Sequence, residues 1–271
     1  MELNKIWNES NEVTLKEHLD DKSVDIVLTS PFYNSTNNSR TLTNNNSKGY
    51  PSCRYDEFVD NMSFEDYNAY ILRLFEGFDR ALKNNGVVLW NISYGAANPD
   101  GMFQNINEIV TKSNFSIADV IIWKKKSALP NNISPNRLTR ITEYVFVMAR
   151  KSELDTFFMN KKKISVSAGG QNIYENIFNF VVANNNDEVC PYNKATYSTD
   201  LCYKLLNMYA PQNAVVYDPF MGSGTTALAC KNMDLNYIGS ELSKNQVEWA
   251  ENRLMTGKGH TNETHDNNAL F

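Results

Sequence analysis

A doubly wound α/β fold is the prediction for this 271-residue chain, and three observations make it. Short β-branched and aromatic runs recur around Ile6, Ile26, Val88, Ile121, Phe146, Val216 and Ile238, seven strand candidates in all. Stretches with apolar residues at helical spacing lie between most of them. Near the end of the chain a strand runs into a Gly-x-Gly turn, Gly222-Ser223-Gly224, that opens a helix. Helices alternating with strands call for a mostly parallel sheet covered on both faces, and seven strands fall short of a barrel of eight.

Residues 3–7 form an apolar stretch suited to the edge of the sheet, and Asn8-Glu9-Ser10 puts a carboxylate at its tip. Residues 11–20 read as a short amphipathic helix built on Val13, Leu15 and Leu19. The run 25–29 is a buried parallel strand that stops at Ser30-Pro31-Phe32-Tyr33. Pro31 fixes its own φ and pushes Ser30 towards an extended conformation. The Ser30 hydroxyl and nearby carbonyls are then presented beyond the strand's carboxyl end, where open α/β sheets bind ligands. Residues 34–49 are almost all Asn, Ser, Thr, Lys and Arg, a composition for a mobile loop.

The apolar residues Met62, Tyr70, Leu72, Leu74, Phe75, Phe78 and Leu82 predict a helix over 58–83, with Asn84-Asn85-Gly86 as its stop. Strands are expected at 87–90, 118–123 and 142–148, and a helix at 102–112. Residues 151–192 lack strong periodicity and read as a small accessory region. A helix at 199–209, a strand at 214–217, the glycine turn with a helix through 227–231, a strand at 237–241 and a helix at 244–254 complete the sheet. The tail from 256 is polar and expected to fray.

Composition narrows the class. With 42% hydrophobic and 21% charged residues the chain is an ordinary globular protein. No apolar run approaches the roughly 18 residues of a membrane span, and the start MELNKIWNESNE is neither signal nor transit peptide, so a cytoplasmic location is expected. Cys53, Cys190, Cys202 and Cys230 have no paired spacing, and two of the histidines, His260 and His265, sit in the polar tail, which argues against a metal site or a disulfide framework. The net charge is -5, yet residues 120–165 hold ten lysines and arginines against Glu143, Glu153 and Asp155. One basic segment in an acidic chain suits a polyanion footprint, centred on Lys124, Lys125, Lys126, Arg137 and Arg140.

The late strand, glycine turn, helix and second strand ending in Glu241 make a Rossmann-like nucleotide-binding half. Glu241 lies 17 residues after Gly224, near the spacing of about 20 at which an acidic residue meets ribose hydroxyls. The turn continues Thr225-Thr226-Ala227 and lacks the third glycine of a dinucleotide fingerprint, so a cofactor without a pyrophosphate, such as S-adenosylmethionine, fits better.

Ser-Pro-Phe-Tyr after an early strand and Asp-Pro-Phe-Met-Gly-Ser-Gly-Thr-Thr after a late one resemble the catalytic and cofactor motifs of the β-class DNA amino-methyltransferases. The resemblance runs from about residue 5 to 254 and implies a catalytic half at 1–150, a target-recognition region at 151–192, an S-adenosylmethionine-binding half at 193–255 and a flexible tail at 256–271. It assigns catalysis to Ser30, Pro31 and Tyr33, with Phe32 standing where the family usually has a second proline. It assigns the cofactor to Asp218, Phe220, Gly222, Gly224, Thr225 and Glu241, with Glu9 on the adenine and Thr196 and Ser198 in a further contacting segment. The implied reaction, as in restriction-modification or phage self-protection, moves a methyl group to the exocyclic amine of a flipped DNA base. Ser at position 30 leans towards cytosine N4 over adenine N6. DNA is the implied partner, with room for a cognate restriction endonuclease. A nicotinamide-dependent oxidoreductase and a catalytically degenerate DNA-binding protein are the alternatives.

Overall fold

The computed structural model describes residues 1–34, 62–94, 99–127, 135–136, 138–187, 190, 192–193 and 195–257. The polar loop predicted at 34–49 lies outside them apart from Asn34, as do Arg137 and the tail beyond Gly257. The first half contains β1 (Lys5–Trp7), α1 (Asn11–Glu17), β2 (Val24–Thr29), α2 (Phe64–Ala81), β3 (Leu82–Ile92), α3 (Gly101–Lys112), β4 (Phe115–Lys125) and β5 (Thr142–Arg150). A hairpin follows, β6 (Lys163–Val166) and β7 (Asn172–Tyr174), then β8 (Phe180–Ala183). The chain ends with α4 (Thr199–Tyr209), β9 (Val215–Asp218), α5 (Thr225–Asn232), β10 (Asn236–Ser240) and α6 (Lys244–Thr256).

Among the described residues, eight strands make one sheet in the order β1-β10-β9-β2-β3-β5-β4-β8. From β1 to β3 every pairing is parallel; β5 is antiparallel to both β3 and β4, and β8 is parallel to β4. Side chains alternate across the strands, which divides the core. Ile26, Leu28, Val87 and Leu89 face α4, α5 and α6, whereas Val27, Val88 and Trp90 face α1, α2 and α3. Four helices start at a serine, Ser10, Ser63, Ser198 and Ser243, whose hydroxyl accepts from the backbone three residues on.

Three expectations need correction. The eighth strand, β8, falls inside the stretch read as an accessory region; it is too short to show periodicity, and only Val181 and Ala183 face the core. Asn84-Asn85-Gly86 does not stop a helix: α2 ends at Ala81, and these residues lie inside β3, with Asn85 taking a left-handed φ of 64°. Gly86 is needed there because a Cβ would come within 2.8 Å of the Asp25 carbonyl. Finally, Val13 is exposed, and α1 buries Asn11 and Thr14 beside Leu15.

Candidate active site

Parallel pairing puts the carboxyl ends of β1, β10, β9 and β2 on one edge of the sheet. Here β9 and β2 are neighbours, with Val27 opposite Tyr217. From β2 the chain continues through α2 to β3 on one side; from β9 it continues through α5 to β10 on the other. The crevice between them is a topological switch point, the place where such sheets take ligands. A cavity of about 290 Å³ occupies it. Ser30 and Phe32 line it from the end of β2, Phe220, Gly222 and Thr225 from the glycine turn, and Glu9 and Glu241 from the ends of β1 and β10.

The glycine turn is built for close packing. Gly222 and Gly224 hold φ of 53° and 79°, and a Cβ on Gly224 would sit 2.6 Å from that of Ala250. Glu241 braces the turn, its Oε2 accepting the Gly222 N–H at 2.8 Å and its Oε1 the Ser243 N–H at 2.9 Å. From below, the buried Arg253 donates to the Ser223 carbonyl at 2.7 Å and to Thr225 Oγ1 at 3.2 Å, and pairs with Asp187 at 2.9 Å. Burial raises the Asp187 carboxyl above its ordinary range, against the pull of its hydrogen bonds from Thr199 and the Arg253 charge.

Asp218 does not line the cavity. It is fully buried, accepting from Thr29 Oγ1 at 2.6 Å, Thr226 Oγ1 at 2.5 Å, Tyr197 OH at 3.0 Å and the Phe220 N–H at 3.0 Å. Burial raises its carboxyl above the usual range while these donors pull it down. Asp218 thus ties the tip of β2 to the glycine turn. Pro31, Tyr33 and Gly224 are likewise not among the residues that line the cavity. Ser198 is fully buried as the cap of α4, while Thr196 does line the cavity.

The Ser-Pro-Phe-Tyr turn keeps its shape without a second proline. Tyr67 donates its hydroxyl to the Phe32 carbonyl at 2.9 Å, and the Phe32 ring packs against Tyr67, Tyr70 and Phe220. Ser30 Oγ lies 3.2 Å from Tyr33 OH, which donates to Glu143 Oε2 at 3.0 Å. Asn91 Nδ2 reaches Ser30 Oγ at 3.2 Å and Glu143 Oε2 at 3.2 Å. Lys125 Nζ holds the other Glu143 oxygen at 2.5 Å.

The basic segment divides accordingly. Lys125 is committed to Glu143, and Lys126 lies 3.4 Å from Asp200. Arg150 is half-buried between Asp79 and Glu153, a structural role. Lys124 is exposed, and the exposed Arg140 lies over the Tyr94 ring at 4.8 Å while donating to the Tyr94 carbonyl.

Residues missed at the sequence level are Ser10, Asn11, Tyr70, Asn193 and Gln246 on the cavity wall, and Asn91 and Glu143 behind Ser30. Burial raises the Tyr70 hydroxyl far above its ordinary range. The capping pattern at Ser243 with Gln246 three residues later was the one local signal available. Among the described residues no helix is long and apolar enough to cross a membrane, and no cluster of His, Cys, Asp or Glu is arranged to hold a metal.

Comparison with known proteins gives this geometry a family. A DNA methylase family model of the N6/N4 methyltransferase class matches residues 24–252. The Type II methyltransferase M.HinfI of Haemophilus influenzae is 26% identical over 89% of this chain, which spans 66% of that relative's length. Among solved structures, the cytosine-N4-specific PvuII DNA methyltransferase superposes with a TM-score of 0.69 at 16% identity, covering 96% of this chain and 88% of the other. A complex of M1.HpyAVI with SAM superposes at 0.60 and 22% identity, covering 92% and 98%. The α/β sheet is therefore of the Rossmann-like methyltransferase type, and the chain, matched over most of its length, belongs to the DNA methylase family of N6/N4 methyltransferases.

Proposed function

We propose that this chain methylates the exocyclic amino nitrogen of a base in DNA, cytosine N4 in preference to adenine N6, with S-adenosylmethionine as its cofactor. The observation that carries the reading is the single cavity lined by both Ser30 and Gly222, at the tips of adjacent strands. Its chemistry suits that cofactor. Two carboxylates, Glu9 and Glu241, and the rings of Tyr70 and Phe220 favour a cation with a ribose diol, and Gly222 holds a left-handed φ of 53° that a side chain would strain. When bound, S-adenosylmethionine supplies a methyl group on a sulfonium centre.

The protein must do the rest. An exocyclic amine is a weak nucleophile because its lone pair is delocalised into the ring. Hydrogen bonds from its N–H groups to Ser30 Oγ and the Pro31 carbonyl draw the nitrogen towards tetrahedral geometry, and positioning in line with the methyl supplies most of the remaining rate. The amine nitrogen would form its bond to the methyl carbon as the carbon–sulfur bond of the sulfonium breaks, leaving a neutral thioether, and the surplus proton on nitrogen would pass to water. Tyr33 offers its ring to stack on the extruded base. A serine at position 30 and the likeness to the N4-specific PvuII enzyme favour cytosine. Likeness to M.HinfI, a Type II methyltransferase, favours a role in restriction-modification, with a cognate endonuclease as the companion activity. With the family match, nothing supports the nicotinamide alternative.

Expression in cells lacking their own methylases, followed by hydrolysis of the DNA and mass spectrometry, is expected to yield N4-methylcytosine. N6-methyladenine alone corrects the base; neither product, with tight DNA binding retained, returns the degenerate reading. For the DNA footprint we expect Lys124→Ala and Arg140→Ala each to weaken binding evenly across sequences. Each is expected to lower the slope of log affinity against log salt by about 1. Titrations at several salt concentrations check this.

A further inference from the structure

We infer that Glu143, with Asn91 and Lys125, is a positioning residue that fixes the direction of the Ser30 hydroxyl and leaves a lone pair of its oxygen facing the cavity. The inference rests on the proposed role of Ser30 and extends it to residues on β3, β4 and β5.

Proton counting carries it. Glu143, paired with Lys125 Nζ at 2.5 Å, is a carboxylate and only accepts hydrogen bonds. Tyr33 has one hydroxyl proton, and it is donated to Glu143 Oε2 at 3.0 Å. In the 3.2 Å contact between Tyr33 and Ser30 the donor must then be Ser30. Asn91 has to present its nitrogen, not its oxygen, to a cluster containing a carboxylate; its two N–H groups go to the nearer acceptors, Ser30 Oγ at 3.2 Å and Glu143 Oε2 at 3.2 Å, with Tyr33 OH a longer third contact at 3.4 Å. A hydroxyl oxygen has two lone pairs. One is met by Asn91; the other faces the cavity that Ser30 lines. The serine is thereby an acceptor towards the ligand, which is what an amino group requires. A free serine would present its proton as readily as its lone pair, and a donor aimed at an amine opposes the reaction.

The arrangement is supplied by strand pairing. Asn91 lies opposite Val145 across β3 and β5, and Trp123 on β4 lies opposite Glu143. Residues far apart in sequence thus meet under the tip of β2. Asn91 is nearly fully buried, and Glu143 and Lys125 are largely so, which strengthens the charge-assisted bonds and keeps their geometry narrow.

The test is a single-turnover methylation assay at saturating tritiated S-adenosylmethionine and unmethylated genomic DNA, with cofactor affinity measured by calorimetry and folding by thermal melting. Glu143→Gln is expected to slow transfer about 100-fold, the scale on which a misaligned reacting group is felt, with cofactor and DNA affinities unchanged. Tyr33→Phe, which spares the ion pair, removes the acceptor for the serine proton and is expected to slow transfer comparably. Combining it with Glu143→Gln should add little. The double variant Glu143→Gln with Lys125→Met replaces the ion pair by a neutral pair. A purely structural role predicts recovered activity in that variant; the inference predicts that it stays slow. Wild-type rates in Glu143→Gln, or recovery in the double variant, overturn the inference. A Ser30→Ala protein that transfers methyl groups at the wild-type rate overturns the underlying site instead, so the two failures are told apart.

Discussion

Replacing Ser30 with Ala is expected to lower methyl transfer by about 10²- to 10³-fold while leaving S-adenosylmethionine binding close to that of the parent protein. The loss comes from the oxygen alone. Ser30 is half-exposed at the cavity wall and has no packing load that a methyl group would fail to carry. The glycine turn, braced by Glu241 and Arg253, is untouched by the change. On the proposed mechanism the target amine then loses an acceptor that draws its lone pair out of the ring, which leaves only the Pro31 carbonyl to hold it. Calorimetric titration of the cofactor beside a tritium-transfer assay separates the two effects. A parallel loss in cofactor affinity places Ser30 in the cofactor subsite rather than at the amine.

Much of the molecule was legible in the sequence because its signals are local. The runs at 25–29, 87–90 and 142–148 are buried on both faces over 26–29, 87–90 and 145–148, so they read as strands without help from alternation. The two motifs at the tips of β2 and β9 read as a site because proline and glycine constrain the backbone wherever they occur. What escaped notice is non-local. Glu143 looks like one acid among basic neighbours, and nothing near it in sequence reveals that β5 runs antiparallel to β3 and carries it beneath Ser30. Lys125 belongs to a basic run that suits a polyanion footprint, and only the folded chain shows its ammonium 2.5 Å from Glu143. Val13 has the right spacing for the apolar face of α1, yet Thr14 and Asn11 are the residues buried, because Asn11 bonds to Tyr70 at 2.7 Å across the helix pair. Charge and periodicity describe what a residue is able to do; pairing across the sheet decides what it meets.

Asp218 makes the same point with the largest expected effect on stability. A motif comparison places it on the cofactor, whereas its carboxylate accepts four hydrogen bonds inside the protein, from Thr29, Thr226, Tyr197 and the Phe220 backbone. Asp218→Ala leaves those donors facing a small void with no water to satisfy them. A buried unsatisfied donor costs about 1–3 kcal/mol, so even with partial re-pairing the variant is expected to lose at least about 3 kcal/mol. For a chain of this length that corresponds to a fall of about 10 °C in melting temperature. Asp218→Asn keeps the volume but turns one acceptor into an N–H group pointed at hydroxyls. The Thr29, Thr226 and Tyr197 hydroxyls can rotate to accept, while the Phe220 N–H cannot, so the asparagine variant should fall between the parent and the alanine variant. Activity should follow a different order. Thr29 immediately precedes Ser30, and Phe220 opens the turn to Gly222, so slackening the tether moves the amine site relative to the methyl donor in both variants. Melting curves and single-turnover rates measured on the same preparations check the pair of orders. An asparagine variant with parent-like rates shows that the tether holds the fold together without setting the distance between the two halves of the site.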